Sequence, residues 1–138
     1  MDIYSHKVQY YETDQMQIVH HSNYIRWFEE ARTHLMDEIG FSYKRMEDEG
    51  IVIPVLGVNA EYKTMSRFGE TVEIEATVKQ FSGVKLIVAY VVRDSETQDI
   101  RAVGETKHAF LDKETYRPIS LKRKHKELFE LFNGMIKE

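Results

Sequence analysis

The 138-residue sequence predicts an α+β fold in which one antiparallel sheet curls around a single long helix. Three observations carry this: an early apolar stripe at helical spacing, a run of alternating segments at hairpin spacing after it, and a second helical stripe at the end.

The elements follow in order. Residues 4–11 alternate, with Tyr4, His6, Val8 and Tyr10 on one side, and read as a first strand. Glu12 to His21 show no periodicity. A helix then begins near Ser22 or Asn23, residue types that cap the free N–H groups of a first turn. Its apolar positions Tyr24, Phe28, Ala31, Leu35 and Ile39 step by three or four and form one stripe. Gly40 stops it, because glycine accepts a left-handed backbone. A short helical turn from Ser42 to Glu49 ends at Gly50. Val55 to Lys63 reads as a strand. Thr71–Lys79 alternates cleanly, with Val72, Ile74, Ala76 and Val78 opposite Glu73, Glu75 and Thr77. After a turn at Gln80–Gly83, Val84–Val92 is apolar on both faces, which predicts a central strand whose outer side is covered by the terminal helix or by a second subunit. Asp94–Asp99 is a polar turn, and Ala102–Leu111 is the last long strand. Its Ala102, Gly104 and Thr106 leave room for another element to pass close. Leu121 to Met135 forms a terminal helix striped by Leu128, Leu131, Phe132 and Met135.

Composition narrows the function. At roughly 100–200 residues per domain, residues 1–138 read as one domain. A hydrophobic content of 42% and an aromatic content of 12% supply a real core and exclude wholesale disorder. The chain has no Cys, which excludes a catalytic thiol, a disulfide framework and cysteine-ligated metals. Nineteen basic against 23 acidic side chains give a net charge of −4, which argues against a nucleic-acid partner. No signal peptide and no apolar run long enough to span a bilayer are evident, so a cytoplasmic setting is expected.

The chemical motifs are few. There is no G-x-S-x-G elbow, no phosphate-cradling glycine loop and no H-E-x-x-H. The six histidines show no metal-ligand spacing, so no metal is expected. What stands out is Tyr11 to Tyr24, which places carboxylates, two imidazoles and a helix start within a short irregular stretch. The unpaired N–H groups and the dipole of a helix N-terminus stabilise an oxyanion. A carboxylate held beside them can attack a carbonyl or activate water.

These residues carry a resemblance. The run Tyr10-Tyr11-Glu12-Thr13-Asp14, then His21-Ser22-Asn23-Tyr24 opening a helix with Trp27, Phe28 and Ala31-Arg32, resembles the hotdog-fold acyl-CoA thioesterases, in particular their 4-hydroxybenzoyl-CoA thioesterase-like, YbgC-type branch. Phe110-Leu111-Asp112 and Arg117-Pro118 extend the likeness over nearly the whole chain. It implies a hotdog fold: an antiparallel sheet wrapped around a long central helix, with a C-terminal helix added. It also implies hydrolysis of an acyl-CoA to a free acid and coenzyme A, which enters as part of the substrate, with no separate cofactor. Asp14 would be the catalytic carboxylate, as nucleophile or as general base. The helix start at His21 would hold the oxyanion, its imidazole positioning carbonyl or water, with Asn23 and Tyr24 shaping the turn. Many relatives carry Gly shortly after the aspartate, where this chain has Met16-Gln17.

Other residues have plainer readings. His20 reads as a turned-out neighbour, and Trp27 and Phe28 as packing. Arg26–Glu30 and Glu29–Arg32 have the spacing of ion pairs on a solvated helix face. Lys63 and Arg67 sit where a strand gives way to a turn and are the candidates for the anionic coenzyme A moiety. Lys122-Arg123-Lys124 is a solvated cluster, or the contact for an acidic acyl carrier protein if the thioester is protein-borne. A non-catalytic acyl-CoA-binding module on the same fold is the remaining alternative. One helix and one sheet make a shallow wrapper, so a homodimer or homotetramer is expected.

Overall fold

The computed structural model describes residues 2–136. Strands β1 (Asp2–Lys7), β3 (Val55–Tyr62), β4 (Thr71–Phe81), β5 (Lys85–Asp94) and β6 (Ile100–Ala109) form one antiparallel sheet in the order β1-β4-β5-β6-β3. Helix α1 (Ser22–Glu38) lies across its concave face, followed by the short α2 (Tyr43–Asp48). A two-stranded ribbon pairs β2 (Ile51–Val52) with β7 (Leu111–Asp112), and the chain ends in α3 (Leu121–Lys124) and α4 (Lys126–Ile136). The α+β arrangement of a sheet wrapped around one helix is as expected. Among the described residues no helix is long and apolar enough to cross a membrane.

Helix α1 buries Tyr24, Trp27, Phe28, Ala31, Leu35 and Met36 against the inward residues of β4 and β5, among them Ile74, Ala76, Val88 and Tyr90. It stops where expected: Gly40, at φ 83°, turns the chain so that Gly40 and Phe41 donate back to the Asp37 and Met36 carbonyls. Close approach to the sheet is permitted by the small residue at 104. A Cβ there would stand 2.6 Å from Phe28 Cε2 and 2.5 Å from the Asn59 carbonyl oxygen. Beneath α1 the Phe28 ring stacks on Tyr90 at 4.5 Å.

Several expectations need correction. The first strand ends at Lys7 rather than running to Tyr11, because Gln9 opens a 3-10 turn (Tyr10–Glu12) in which its N–H donates to Glu12 Oε1 at 2.8 Å. Tyr10 is therefore 73% exposed instead of lying on an inward face. The last strand breaks at Phe110, whose ring turns into a cluster with Phe81 and Phe132. The terminal helix is interrupted at His125, which has non-helical backbone angles, packs edge-on against Phe41 and pairs with Glu49. Helix α4 joins the same aromatic cluster through Phe129 and Phe132, on the side of the sheet that holds α1. It leaves Ile87, Ala89, Val91 and Val103 half-exposed on the outer face.

Arg32 is not part of a solvated ion pair. One turn beyond Phe28 and three residues before Leu35, it falls on the buried face. Its guanidinium donates to the hydroxyls of Tyr43 (2.8 Å) and Tyr90 (3.0 Å), and Tyr90 is linked through Thr106 to His108. Burial, with Arg32 nearby, pushes His108 down to about 4 and so keeps it neutral.

The contact at residue 104 yields a prediction. Gly104→Ala should cost about 1–3 kcal/mol, since neither the Asn59 backbone nor the stacked Phe28 ring has room to yield. Urea unfolding at neutral pH measures this; an unchanged midpoint would show that α1 is not seated as described.

Candidate active site

The segment between the 3-10 turn and α1 is a small closed loop. Thr13 and Val19 bridge, the Asp14 N–H donates to the Ile18 carbonyl at 2.9 Å, and the Gln17 N–H donates to the Asp14 carbonyl at 2.9 Å. Gln17 takes φ 63°, so a left-handed turn is made here without the glycine that many relatives carry. The Asp14 side chain belongs to this loop, with Oδ1 accepting the Met16 N–H at 2.8 Å, and it is exposed. The loop's far side is pinned by the Val19 N–H to the Ser66 carbonyl (2.9 Å) and by a bridge between Ile18 and Arg67.

The start of α1 is held in an unexpected way. Neither Ser22 nor Asn23 caps the helix with its side chain. Instead His20 Nδ1 accepts the Ser22 N–H at 3.2 Å and lies 2.9 Å from Ser22 Oγ, while its ring stacks on His21 at 4.2 Å. His20 is exposed, but it is more than a turned-out neighbour. Asn23 is buried and points inward, donating from Nδ2 to the Glu12 carbonyl at 2.9 Å. The N–H of His21, the N-cap residue immediately before α1, has no acceptor among the described residues.

A cleft of about 300 Å³ opens between this loop, the helix start and the end of β3. It gathers Asp14, His20, His21, Tyr24 and Lys63, and adds Tyr62, Thr64 and Met65. Tyr24 forms the floor: buried, its ring 5.2 Å from Tyr62 and 4.8 Å from Trp27, its hydroxyl donating to Ser66 Oγ at 3.0 Å. Burial pushes the Tyr24 hydroxyl up from its ordinary range, so it remains a neutral donor. Tyr62 reaches over the cleft to the His21 carbonyl at 3.4 Å. Lys63 is exposed at the cleft with Glu61 beside it at 3.1 Å. Two expected site residues lie elsewhere. Asn23 sits behind the wall, and Arg67 emerges on the loop's other side, in a hollow with Tyr10, Thr13, Gln17 and Phe68. The Lys122–Lys124 cluster is also remote. The Leu121 N–H donates to the Gly83 carbonyl, which places it at the β4–β5 turn, about 20 Å along the sheet from Tyr62.

A further residue stands in the sequence motif without being given a role of its own. Glu12 is 4% exposed, and its carboxylate sits 2.9 Å from both His6 Nε2 and Trp27 Nε1 as well as accepting the Gln9 N–H. Burial pushes this carboxyl up, but the donors from Gln9, His6 and Trp27 outweigh it and hold the group below the usual carboxylate range.

Comparison with known proteins identifies the family of the chain. The model of the thioesterase-like superfamily matches residues 8–129. The chain belongs to that superfamily. Thioesterase-like relatives include a putative acyl-CoA thioesterase, YneP, of Bacillus subtilis, 34% identical over 85% of this chain and 84% of its own. The acyl-CoA thioesterase YbgC of Helicobacter pylori is 26% identical over 88% of this chain and 95% of its own. Among solved structures, a DHNA-CoA thioesterase from Staphylococcus aureus superposes with a TM-score of 0.91 at 30% identity, covering 96% of this chain and 89% of the other. The fold is the hotdog fold, and the protein is a thioester hydrolase.

Proposed function

We propose that this thioesterase hydrolyses an acyl-CoA to the free acid and coenzyme A in the cleft holding Asp14 and the start of α1. One observation carries the reading: an exposed carboxylate and an unused helix-start N–H, that of His21, belong to the same cleft. The thioester carbonyl oxygen takes the His21 N–H, where the helix dipole favours the charge that develops during attack. By the general-base route, Asp14 accepts a proton from water while the hydroxide adds to the carbonyl carbon. The tetrahedral intermediate then collapses by breaking the C–S bond, and the leaving thiolate takes the proton that Asp14 had accepted, which restores the carboxylate. By the nucleophilic route, Asp14 itself adds and expels the thiolate, and water cleaves the resulting anhydride. The acyl group lies on Tyr24 and Tyr62, with Lys63 at the mouth toward the coenzyme A phosphates. Relatives named as acyl-CoA and DHNA-CoA thioesterases support this substrate class.

Asp14→Asn is the clean test, because the amide retains an Oδ1 to accept the Met16 N–H and so keeps the loop. The variant should fold with an unchanged melting temperature and lose about 10²–10⁴-fold in kcat on acyl-CoA substrates ranging from short aliphatic to aromatic and long-chain. Release of free thiol reads the rate. Wild-type turnover by the folded variant would remove Asp14 from the mechanism.

The active unit in this reading is a dimer. Strand β3 is an edge strand, yet Val55, Leu56, Val58 and Tyr62 along it are 43–62% exposed, an arrangement that invites strand pairing. Antiparallel pairing of β3 with its copy sets the Leu56 end of one subunit beside the Tyr62 end of the other. The Leu56 end carries a hollow of about 510 Å³ with Phe81, Leu86 and Ile87 in its wall, which would extend the partner's cleft. Val58→Lys should give a monomer by light scattering and lose turnover, because a charge on an edge strand opposes pairing. A wild-type protein that is monomeric and fully active would refute the dimer.

A further inference from the structure

We propose that Glu12 is the positioning residue of this active site: its immobilised side chain fixes the backbone carbonyl from which both halves of the catalytic constellation hang. The inference rests on the thioesterase reading above.

That carbonyl accepts two hydrogen bonds, each 2.9 Å long, and both lead to the helix-start half of the site. One comes from the His20 N–H, immediately before the oxyanion position at His21. The other comes from Asn23 Nδ2, in the first turn of α1. Two residues along the chain from the same carbonyl stands Asp14. The separation between the reacting carboxylate and the oxyanion donor is thus set across one peptide unit. The Thr13–Val19 bridge and the Asp14 N–H to Ile18 carbonyl bond close the loop between them, but the loop is exposed at Asp14, Gln15, Met16 and Gln17.

A carbonyl in an irregular segment needs an anchor to serve this purpose, and the Glu12 side chain supplies one. Its carboxylate is gripped from three elements. His6 Nε2 on β1 lies 2.9 and 3.1 Å from its two oxygens, the Gln9 N–H reaches Oε1 at 2.8 Å, and Trp27 Nε1 on α1 reaches Oε2 at 2.9 Å. The His6 ring in turn stands between Glu12 and Glu30, and Glu30 accepts the Tyr4 hydroxyl at 2.7 Å. An ionised carboxylate offers acceptors only, so it matches three donors that an amide of the same shape cannot all satisfy. With β1, the 3-10 turn and α1 tied to one group, the loop that bears Asp14 is located relative to the helix that bears the oxyanion donor. A misplacement of about 1 Å in such a pair costs on the order of 10²-fold in rate.

The test uses Glu12→Gln, Trp27→Phe and their combination, assayed by stopped-flow thiol release at least 15 °C below each variant's melting temperature, with amide hydrogen exchange on the same samples. Glu12→Gln should lower kcat by about 10–100-fold with KM within about twofold. The His20 amide should exchange faster, while amides from Phe28 to Leu35 stay protected. Trp27→Phe keeps a ring in the core but removes one donor, and should lower kcat by about 3–10-fold. The double variant should be no slower than Glu12→Gln alone, because Trp27 acts through Glu12. A folded Glu12→Gln protein with wild-type kcat, or losses that multiply in the double variant, would overturn the proposal. Should Glu12→Gln fail to fold, Trp27→Phe decides: unchanged kcat and unchanged His20 exchange overturn it. Absence of wild-type turnover on every thioester would instead defeat the thioesterase reading, and the exchange of His20 would still report the anchor.

Discussion

Helix α1 is seated so tightly on its sheet that Phe28 and the Asn59 backbone occupy the space a side chain at residue 104 would need. Everything functional in the chain depends on that seating. The sheet buries the helix through Trp27, Phe28, Ala31 and Leu35, and this burial places the helix N-terminus at the end of β3 beside Tyr62. A helix start is useful to chemistry only when its free N–H groups are held at a fixed point, and here the core holds them.

The polar interior follows the same plan. Two of the buried polar groups along α1 tie the helix to strands. Arg32 reaches Tyr90 on β5 and, through Thr106, the neutral His108 on β6. Trp27 reaches Glu12, which His6 on β1 holds from the other side. Buried polar groups are tolerated when their partners are present, and in return they fix one arrangement among the several that apolar packing would accept. The arrangement fixed here leaves Asp14 on a short exposed loop and, among the described residues, the His21 N–H without a partner, with both groups at one cleft.

Much of this was legible in the sequence, for reasons that can be stated residue by residue. The period-2 and period-3.6 patterns located every long element, because each except the edge strand β3 turns one face to the core. Gly104 and its small neighbours announced the close helix, and Gly40 its end. Asp14 and His21 were legible because they are local to one motif, and the cleft does bring them together. The failures involve partners distant in sequence. Glu12 carried no role of its own within its motif, since local sequence does not reveal that His6 and Trp27 close on it from either side. Arg32 has ion-pair spacing with Glu29, and only the three-dimensional position of Tyr43 and Tyr90 draws it inward. Tyr62, Thr64 and Met65 reach the cleft from some forty residues away. Arg67 leaves the same turn on the opposite side of the loop, a direction that residue type does not encode.

The pairing of a carboxylate with a helix-start N–H is the centre of the functional reading, and a crystal structure with an unreactive ligand addresses it directly. An acyl-CoA ketone, in which a methylene replaces the sulfur, presents the carbonyl without a leaving group. Its oxygen is expected about 2.7–3.1 Å from the His21 nitrogen, with the Asp14 carboxylate, or one water held by it, about 3–3.5 Å from the carbonyl carbon. A ketone oxygen pointing away from the start of α1, or a carbonyl carbon beyond reach of Asp14, would contradict the assignment.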